Sequence, residues 1–447
     1  MSWEKYEKRA LGLEVVISLR IIPVWNDLVM VVGVGNDLVV LRSGPLLFTG
    51  RISTPGRPAL FSTVPFLVAP RVPLHMQDQP PGPFGTDNEG FTAGPSIISL
   101  RRQLMEYRLL GSTGLEVSVL SFGTMTLGGE GRFAAIGNVQ VDEARRHIEI
   151  CIEAGVNLFD TADVYSFGKS EEVLGEALGA HRKDIVLATK VFNRLEPGTN
   201  RAGLSRRHIV EACEASLRRL KTDYIDLYQS HSFDSLTPIE ETMRAYDDLI
   251  HAGKIRYAGC SNHTGWQLMK VHTVADRFGV PRYISQQINY SLLAREAEFE
   301  LVPAGLDQKT GIMAWSPLQA GLLSGKFRRG ADKPTESRLN TLERSGTIDE
   351  ERLYRIIDVL AEVAAERGVS ISQVALNWVV RKPGVDTVII GARNEKQLVD
   401  NLAAANWSLT AAEVERLDES SALPLPYPYW HQRKFAAERN PQLPHVR

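Results

Sequence analysis

The chain has 447 residues, 43% of them apolar, which suits one large domain plus an appendage. Its 51 basic and 53 acidic side chains leave a net charge of −2, a balance without the electrostatic footprint that nucleic acid or an anionic membrane surface requires. No run reaches the roughly 18 apolar residues of a membrane span, so no membrane insertion is expected. The three cysteines, Cys151, Cys213 and Cys260, lack zinc-ligand spacing and read as free thiols of a reducing compartment, with the cytoplasm as the expected location.

Residues 1–104 hold 11 of the 23 prolines, and the stretch 77–85 has neither helical nor strand period. The most apolar early stretch, 28–41, is cut by Gly33, Gly35 and Asp37, and no order of elements emerges. This part reads as an irregular Pro-rich extension, loosely ordered or outside the catalytic unit. Regularity begins at Met105 and extends to about residue 430, followed by a tail, 431–447.

Eight short apolar runs then recur, at 118–124, 157–161, 185–191, 224–231, 256–261, 284–289, 311–316 and 387–391. Their near-continuous apolar character fits strands buried on both faces. Segments with a longer period separate them. In one, Ile209, Cys213, Leu217 and Leu220 recur at spacings of three and four behind Ser205, a fitting N-cap. Another runs from Pro238 to Gly253, with the Pro-first, Gly-last asymmetry of helices. Eight strand–helix units in about 300 residues predict an α/β fold, the (β/α)8 TIM barrel. A doubly wound open sheet is the alternative, but it would place a G-x-G-x-x-G loop after an early strand. The sequence has none: Gly33-Val-Gly35 lacks the third glycine and a following helix.

Four titratable residues fall at or just beyond the ends of three successive strands: Asp160, Tyr165, Lys190 and His231. In such a barrel these ends converge on the face that carries chemistry. Lys190 follows Val186, Leu187 and Ala188, and a lysine so placed is rarely buried unless paired; Asp160, on the neighbouring strand, is its natural partner. A paired Lys beside Tyr165 is expected to lower the phenol pKa from about 10 towards neutrality, making a usable general acid. His231 can donate a hydrogen bond to the same substrate oxygen. The set has no second imidazole or thiolate for a metal and no serine elbow for acyl transfer. What remains is proton donation to a carbonyl whose carbon receives a hydride.

These residues resemble the aldo-keto reductase family over about residues 106–420. Phe159-Asp-Thr-Ala-Asp-Val-Tyr-Ser-Phe-Gly-Lys-Ser-Glu171 is similar to the family's Asp/Tyr signature, with Ser170 and Glu171 opening the next helix. The resemblance implies NADPH-dependent reduction of a small-molecule aldehyde or ketone. Tyr165 would be the proton donor, Lys190 and Asp160 its tuners, and His231 the group that orients the carbonyl. It also implies an NADP(H) site. Gly123, Thr124 and Met125, with Asp160, resemble the first-strand turn beside the nicotinamide. Ser261, Asn262 and Gln287 resemble the clamp on its carboxamide. Trp315 in Ala314-Trp-Ser-Pro-Leu318 resembles the stacking aromatic, with Ser316 and Leu318 beside it. Lys326 and Arg338 resemble the phosphate loop of the subgroup related to potassium-channel beta subunits. Gly391, Arg393, Gln397 and Asn401 resemble the adenosine-binding turn and helix. Arg338 and Arg393 are the candidates for a 2′-phosphate.

Departures from the family pattern affect substrate choice. Ser232-Phe233 follow His231, a Gly-rich insertion at 128–138 is expected to rim the pocket, and the aromatic tail at 424–430 is expected to cover its mouth. Two other functions compete: an NADP-binding, redox-sensing regulatory subunit of the same fold, and an aldolase using Lys190 as a Schiff base. The second leaves Tyr165 and Trp315 without a role.

Overall fold

The computed structural model describes residues 4–10, 13–24, 27–34, 37–42, 105–330, 349–436, 438 and 439. The chain divides into two units, Met1–Ser96 and Ile97–Arg447. In the first, β1 (Glu4–Ala10), β2 (Leu13–Val24), β3 (Asp27–Val34) and β4 (Asp37–Arg42) form an antiparallel sheet in chain order. At one end of the β3–β4 pair, Val34 is in register with Asp37. The four strands run as an antiparallel meander.

The second unit opens with a short hairpin, β5 (Tyr107–Leu109) and β6 (Glu116–Ser118). Eight parallel strands then close into a barrel: β7 (Leu120–Gly123), β8 (Leu158–Asp160), β9 (Val186–Val191), β10 (Ile225–Ser230), β11 (Ile255–Ser261), β12 (Ser285–Asn289), β13 (Gly311–Trp315) and β14 (Val385–Ile390). Each coincides with one of the eight expected runs. All six residues of β9 are buried, because one face meets the barrel interior and the other meets helices.

The surrounding helices are α1 (Val141–Glu153), α2 (Lys169–Leu178), α3 (Arg206–Arg219), α4 (Ile239–His251), α5 (Gly265–Phe278), α6 (Leu301–Gln308), α7 (Glu350–Arg367), α8 (Ile371–Val380), α9 (Glu395–Leu402), α10 (Ala411–Ser421) and α11 (Tyr429–Phe435). Ser205 caps α3 by accepting from the His208 N–H, and Ile209, Cys213 and Leu217 face inward. Burying an aliphatic side chain of this size contributes on the order of 1.5–3 kcal/mol. All three cysteines are buried and free.

The β5–β6 hairpin closes the barrel at its N-terminal end. Leu110 and Val117 share a buried cluster with Leu158, Val186, Ala188, Leu227, Met313 and Ile389. The Gly111 N–H donates to Asp386 Oδ2 at 2.9 Å, and Arg108 Nη1 donates to the carbonyls of Val380 (2.8 Å) and Val385 (2.5 Å). The C-terminal ends of the strands are left to the loops.

Candidate active site

Asp160 ends β8 and Lys190 lies in β9, so pairing of these strands brings them together. Lys190 is fully buried; its Nζ donates to Asp160 Oδ2 at 2.5 Å, to the Thr161 carbonyl at 2.8 Å and to Tyr165 Oη at 3.3 Å. The other Asp160 oxygen, Oδ1, accepts from Gln229 (3.1 Å) and Gln287 (2.8 Å). The His231 ring lies edge-on to Tyr165, with centroids 5.9 Å apart. The four expected residues thus meet at the C-terminal face. Burial opposes the Lys190 charge, but Asp160 and Tyr165 outweigh it and hold the lysine above its ordinary pKa.

Tyr165 corrects the sequence expectation. Burial is the largest influence on its phenol, and together with Asp160 and Asp163 it outweighs the Lys190 cation, so the pKa rises above its ordinary value. Before substrate binds, the phenol is therefore firmly protonated. His231 is pushed down to about 3, by burial first and by Lys190 second, and is neutral at ordinary pH. Asn193 Nδ2, which can only donate, lies 3.3 Å from His231 Nδ1; Nδ1 accepts and Nε2 carries the ring proton.

Backbone strain gathers on the same face. Ser166 and Phe167 just beyond Tyr165, Asn262 beyond β11, and Ser316 beyond β13 all have φ between 49° and 55°. Non-glycine residues in this region cost about 1–3 kcal/mol each and collect at functional sites.

Most of the residues expected to hold a dinucleotide lie at or just beyond the ends of β7 and β11–β14, while Gln397 and Asn401 lie in α9. Gly123 ends β7, Thr124 is buried with its N–H on the Asp160 carbonyl at 2.9 Å, and Met125 is half-buried. Ser261 Oγ donates to the Gln287 carbonyl at 3.0 Å, and Asn262 Nδ2 donates to Ser261 Oγ and the His231 carbonyl, both at 3.0 Å. Trp315 and Ser316 are half-buried at the end of β13, as is Leu318, whereas Lys326 is exposed. After β14, Gly391 is exposed, Gln397 accepts from the Arg393 N–H at 3.1 Å, and Asn401 Nδ2 donates to the Gly391 carbonyl at 3.2 Å. Arg338 lies outside the described residues.

The model of the Aldo/keto reductase family matches residues 119–422. The chain belongs to that family. It is 39% identical to the Arabidopsis thaliana protein named "Probable voltage-gated potassium channel subunit beta", over 68% of this chain and 92% of that one. It is 36% identical to the "Uncharacterized oxidoreductase YrpG" of Bacillus subtilis, over 70% of this chain and 95% of the relative. It is 35% identical to the "Versiconal hemiacetal acetate reductase" of Aspergillus parasiticus, over 70% and 96%. This aldo/keto reductase is an oxidoreductase, and no helix among its described residues is long and apolar enough to cross a membrane.

The structure adds residues that sequence reasoning passes over. Gln229 supports Asp160 from β10, two positions before His231, and Asn193 sets the His231 tautomer. Glu171 is fully buried and accepts from Thr189 Oγ1 (2.5 Å) and Arg219 Nε (2.7 Å), while Ser170 Oγ donates to the Thr124 carbonyl at 2.8 Å. The signature's Ser-Glu pair therefore ties α2 to the ends of β7 and β9 as well as opening the helix. Asp163 is buried, and burial holds its pKa well above the ordinary carboxylate range. In the tail, Tyr429 stacks on Phe299, in the segment between β12 and α6, at 5.4 Å between centroids, while Tyr427 and Trp430 remain exposed.

Proposed function

We propose that this aldo/keto reductase reduces an aldehyde or ketone with NADPH, and oxidises the corresponding alcohol in reverse. The observation that carries this reading is the buried Lys190 charge, 2.5 Å from Asp160 and 3.3 Å from the Tyr165 phenol. Tyr165 Oη gives its proton to the substrate oxygen. Neutral His231 donates from Nε2 to the same oxygen and turns the carbonyl. Lys190 acts when the proton leaves: its ammonium stabilises the phenolate as it forms, and Asp160 keeps the ammonium charged. This differs from a tyrosine ionised at rest, and it matches the raised phenol pKa.

The side chains at the strand ends fit a nicotinamide dinucleotide. The Ser261 hydroxyl, the Asn262 and Gln287 amides, the aromatic Trp315 and the turn before α9 lie at the ends of four adjacent strands, a span of about 15 Å at ordinary strand spacing. Among the described residues, the Trp315 indole N–H is buried without a partner, and Gly391 keeps the turn open, since beyond its chain neighbours no described atom comes nearer an added Cβ than the Gly123 carbonyl at 3.9 Å. When bound there, the coenzyme supplies the hydride. Ser261, Asn262 and Gln287 would hold the carboxamide, Trp315, Ser316 and Leu318 the ring, and Lys326, Arg338, Gly391, Gln397 and Asn401 the adenosine phosphate end.

A second reading, an NADP-binding regulatory subunit with weak catalysis, draws support from the name of the Arabidopsis relative. Turnover of a panel of aldehydes, ketones and sugars, alongside direct titration with NADPH and NADH, separates the two. Steady NADPH oxidation with at least one carbonyl supports the reductase. Tight NADPH binding with no oxidation by any member supports the regulatory reading.

A further inference from the structure

The Gly-rich insertion is held by its two ends in different ways. At its base, Leu127 bridges Val139, the Gly128 N–H donates to the Val139 carbonyl at 3.0 Å, and the Gly129 N–H donates to Ser166 Oγ at 3.1 Å. Further along, Phe133 is only 4% exposed, and its ring lies 6.0 Å from that of Tyr165 and 6.1 Å from that of Phe167. Among the described residues, hydrogen bonds from outside the insertion reach residues 134–136 from one side chain. Arg393 Nε donates to the Ile136 carbonyl at 3.2 Å, and Arg393 Nη2 to the Ala135 carbonyl at 3.3 Å. Its backbone is anchored in turn by Gln397, which accepts its N–H at 3.1 Å. A rigid guanidinium fork suits two neighbouring carbonyls in a way that a lysine cannot match.

We propose that Arg393 is a positioning residue for carbonyl reduction. It braces the insertion so that Phe133 forms a fixed apolar wall against Tyr165. That wall holds the phenol in place and favours carbonyl substrates whose substituent is apolar. The proposal rests on the reductase reading above, and it gives the Arg393 side chain a task other than binding a 2′-phosphate. The two tasks predict different effects, because bracing acts on turnover and substrate range whereas phosphate binding acts on coenzyme affinity.

The test compares wild type with Arg393→Ala, Arg393→Lys, Phe133→Ala and the Arg393→Ala/Phe133→Ala double variant. Backbone amide exchange over residues 131–137 is measured without substrate, NADPH and NADH affinities by titration, and kcat and KM with a small and a bulky apolar aldehyde. Arg393→Ala should exchange faster in that segment, bind NADPH as wild type does, and lose about 10- to 100-fold in kcat, as small misplacements of reacting groups do. Arg393→Lys should recover only part of this loss. The double variant should be no worse than Phe133→Ala, since residues acting as one unit are not additive. Unchanged exchange, additive losses, or weakened NADPH binding with NADH unaffected would each overturn the proposal. Failure of the reductase reading shows separately: the wild type then oxidises NADPH with none of the carbonyls tried, and that result removes the catalytic role of the brace even where Arg393→Ala exchanges faster.

Discussion

Lys190 carries its charge in full burial, which would be costly without a partner. Asp160 supplies that partner, and Gln229 and Gln287 occupy the second oxygen of Asp160 so that it cannot turn away. Neighbouring charge alone suggested a lowered Tyr165 pKa, yet burial is the larger influence here. The pH profile of reduction tests this balance. The acid form of Tyr165 is the active one, and a raised folded-state pKa keeps it protonated through neutrality. His231, titrating near 3, contributes no change above that. The account predicts kcat/KM flat from about pH 6 to 8, with loss only in the alkaline range where a phenol ionises. A break near the ordinary histidine pKa would mean that His231 titrates in the free enzyme. The identities of these four residues are readable because each stands at or just beyond the end of a locally recognisable strand. Their supports are not: Gln287 lies 127 residues from Asp160, and Arg393 lies 257 from Ile136. Only closure of the barrel brings such pairs together.

At the scale of elements, the eight barrel strands are legible because burial on both faces writes a continuous apolar run into each. β5 and β6 are not, since three residues are too few to show a period. Yet this hairpin seals the barrel floor, and Asp386 receives its Gly111 N–H. Burial raises Asp386 from 3.8 to about 6. The folded protein therefore binds this proton more tightly than the unfolded chain, and the stability involved is present at low pH and lost as pH rises through about 6. Asp386→Asn keeps an acceptor oxygen without the charge. It should stabilise the protein by about 1–3 kcal/mol near pH 7, with the gain vanishing towards pH 4. Urea unfolding at both pH values checks this, and a pH-independent difference would contradict it. At α3, Ser205→Ala should cost about 1 kcal/mol, because the His208 N–H loses its acceptor. An unchanged urea midpoint would show that water replaces the cap without loss.

For the whole molecule, every residue placed at the candidate site lies within the Ile97–Arg447 unit, and the family match covers residues 119–422. The barrel floor needs the chain from Glu106 onward, whose carbonyl accepts from the Val119 N–H at 3.0 Å. We expect a chain beginning at Met105 to fold and to turn over as the full chain does, whereas one beginning at Val119 should lose its floor and its stability. Thermal unfolding and NADPH oxidation of both chains check this; loss of folding on removal of residues 1–104 would give the antiparallel meander a part in the barrel's stability. The central claim concerns one proton. Steady-state NADPH oxidation by Tyr165→Phe, beside wild type and with NADPH affinity titrated separately, tests it most directly. The account predicts unchanged NADPH affinity and a kcat lower by about 10²- to 10⁴-fold, the usual contribution of a general acid. Wild-type turnover in that variant would contradict it.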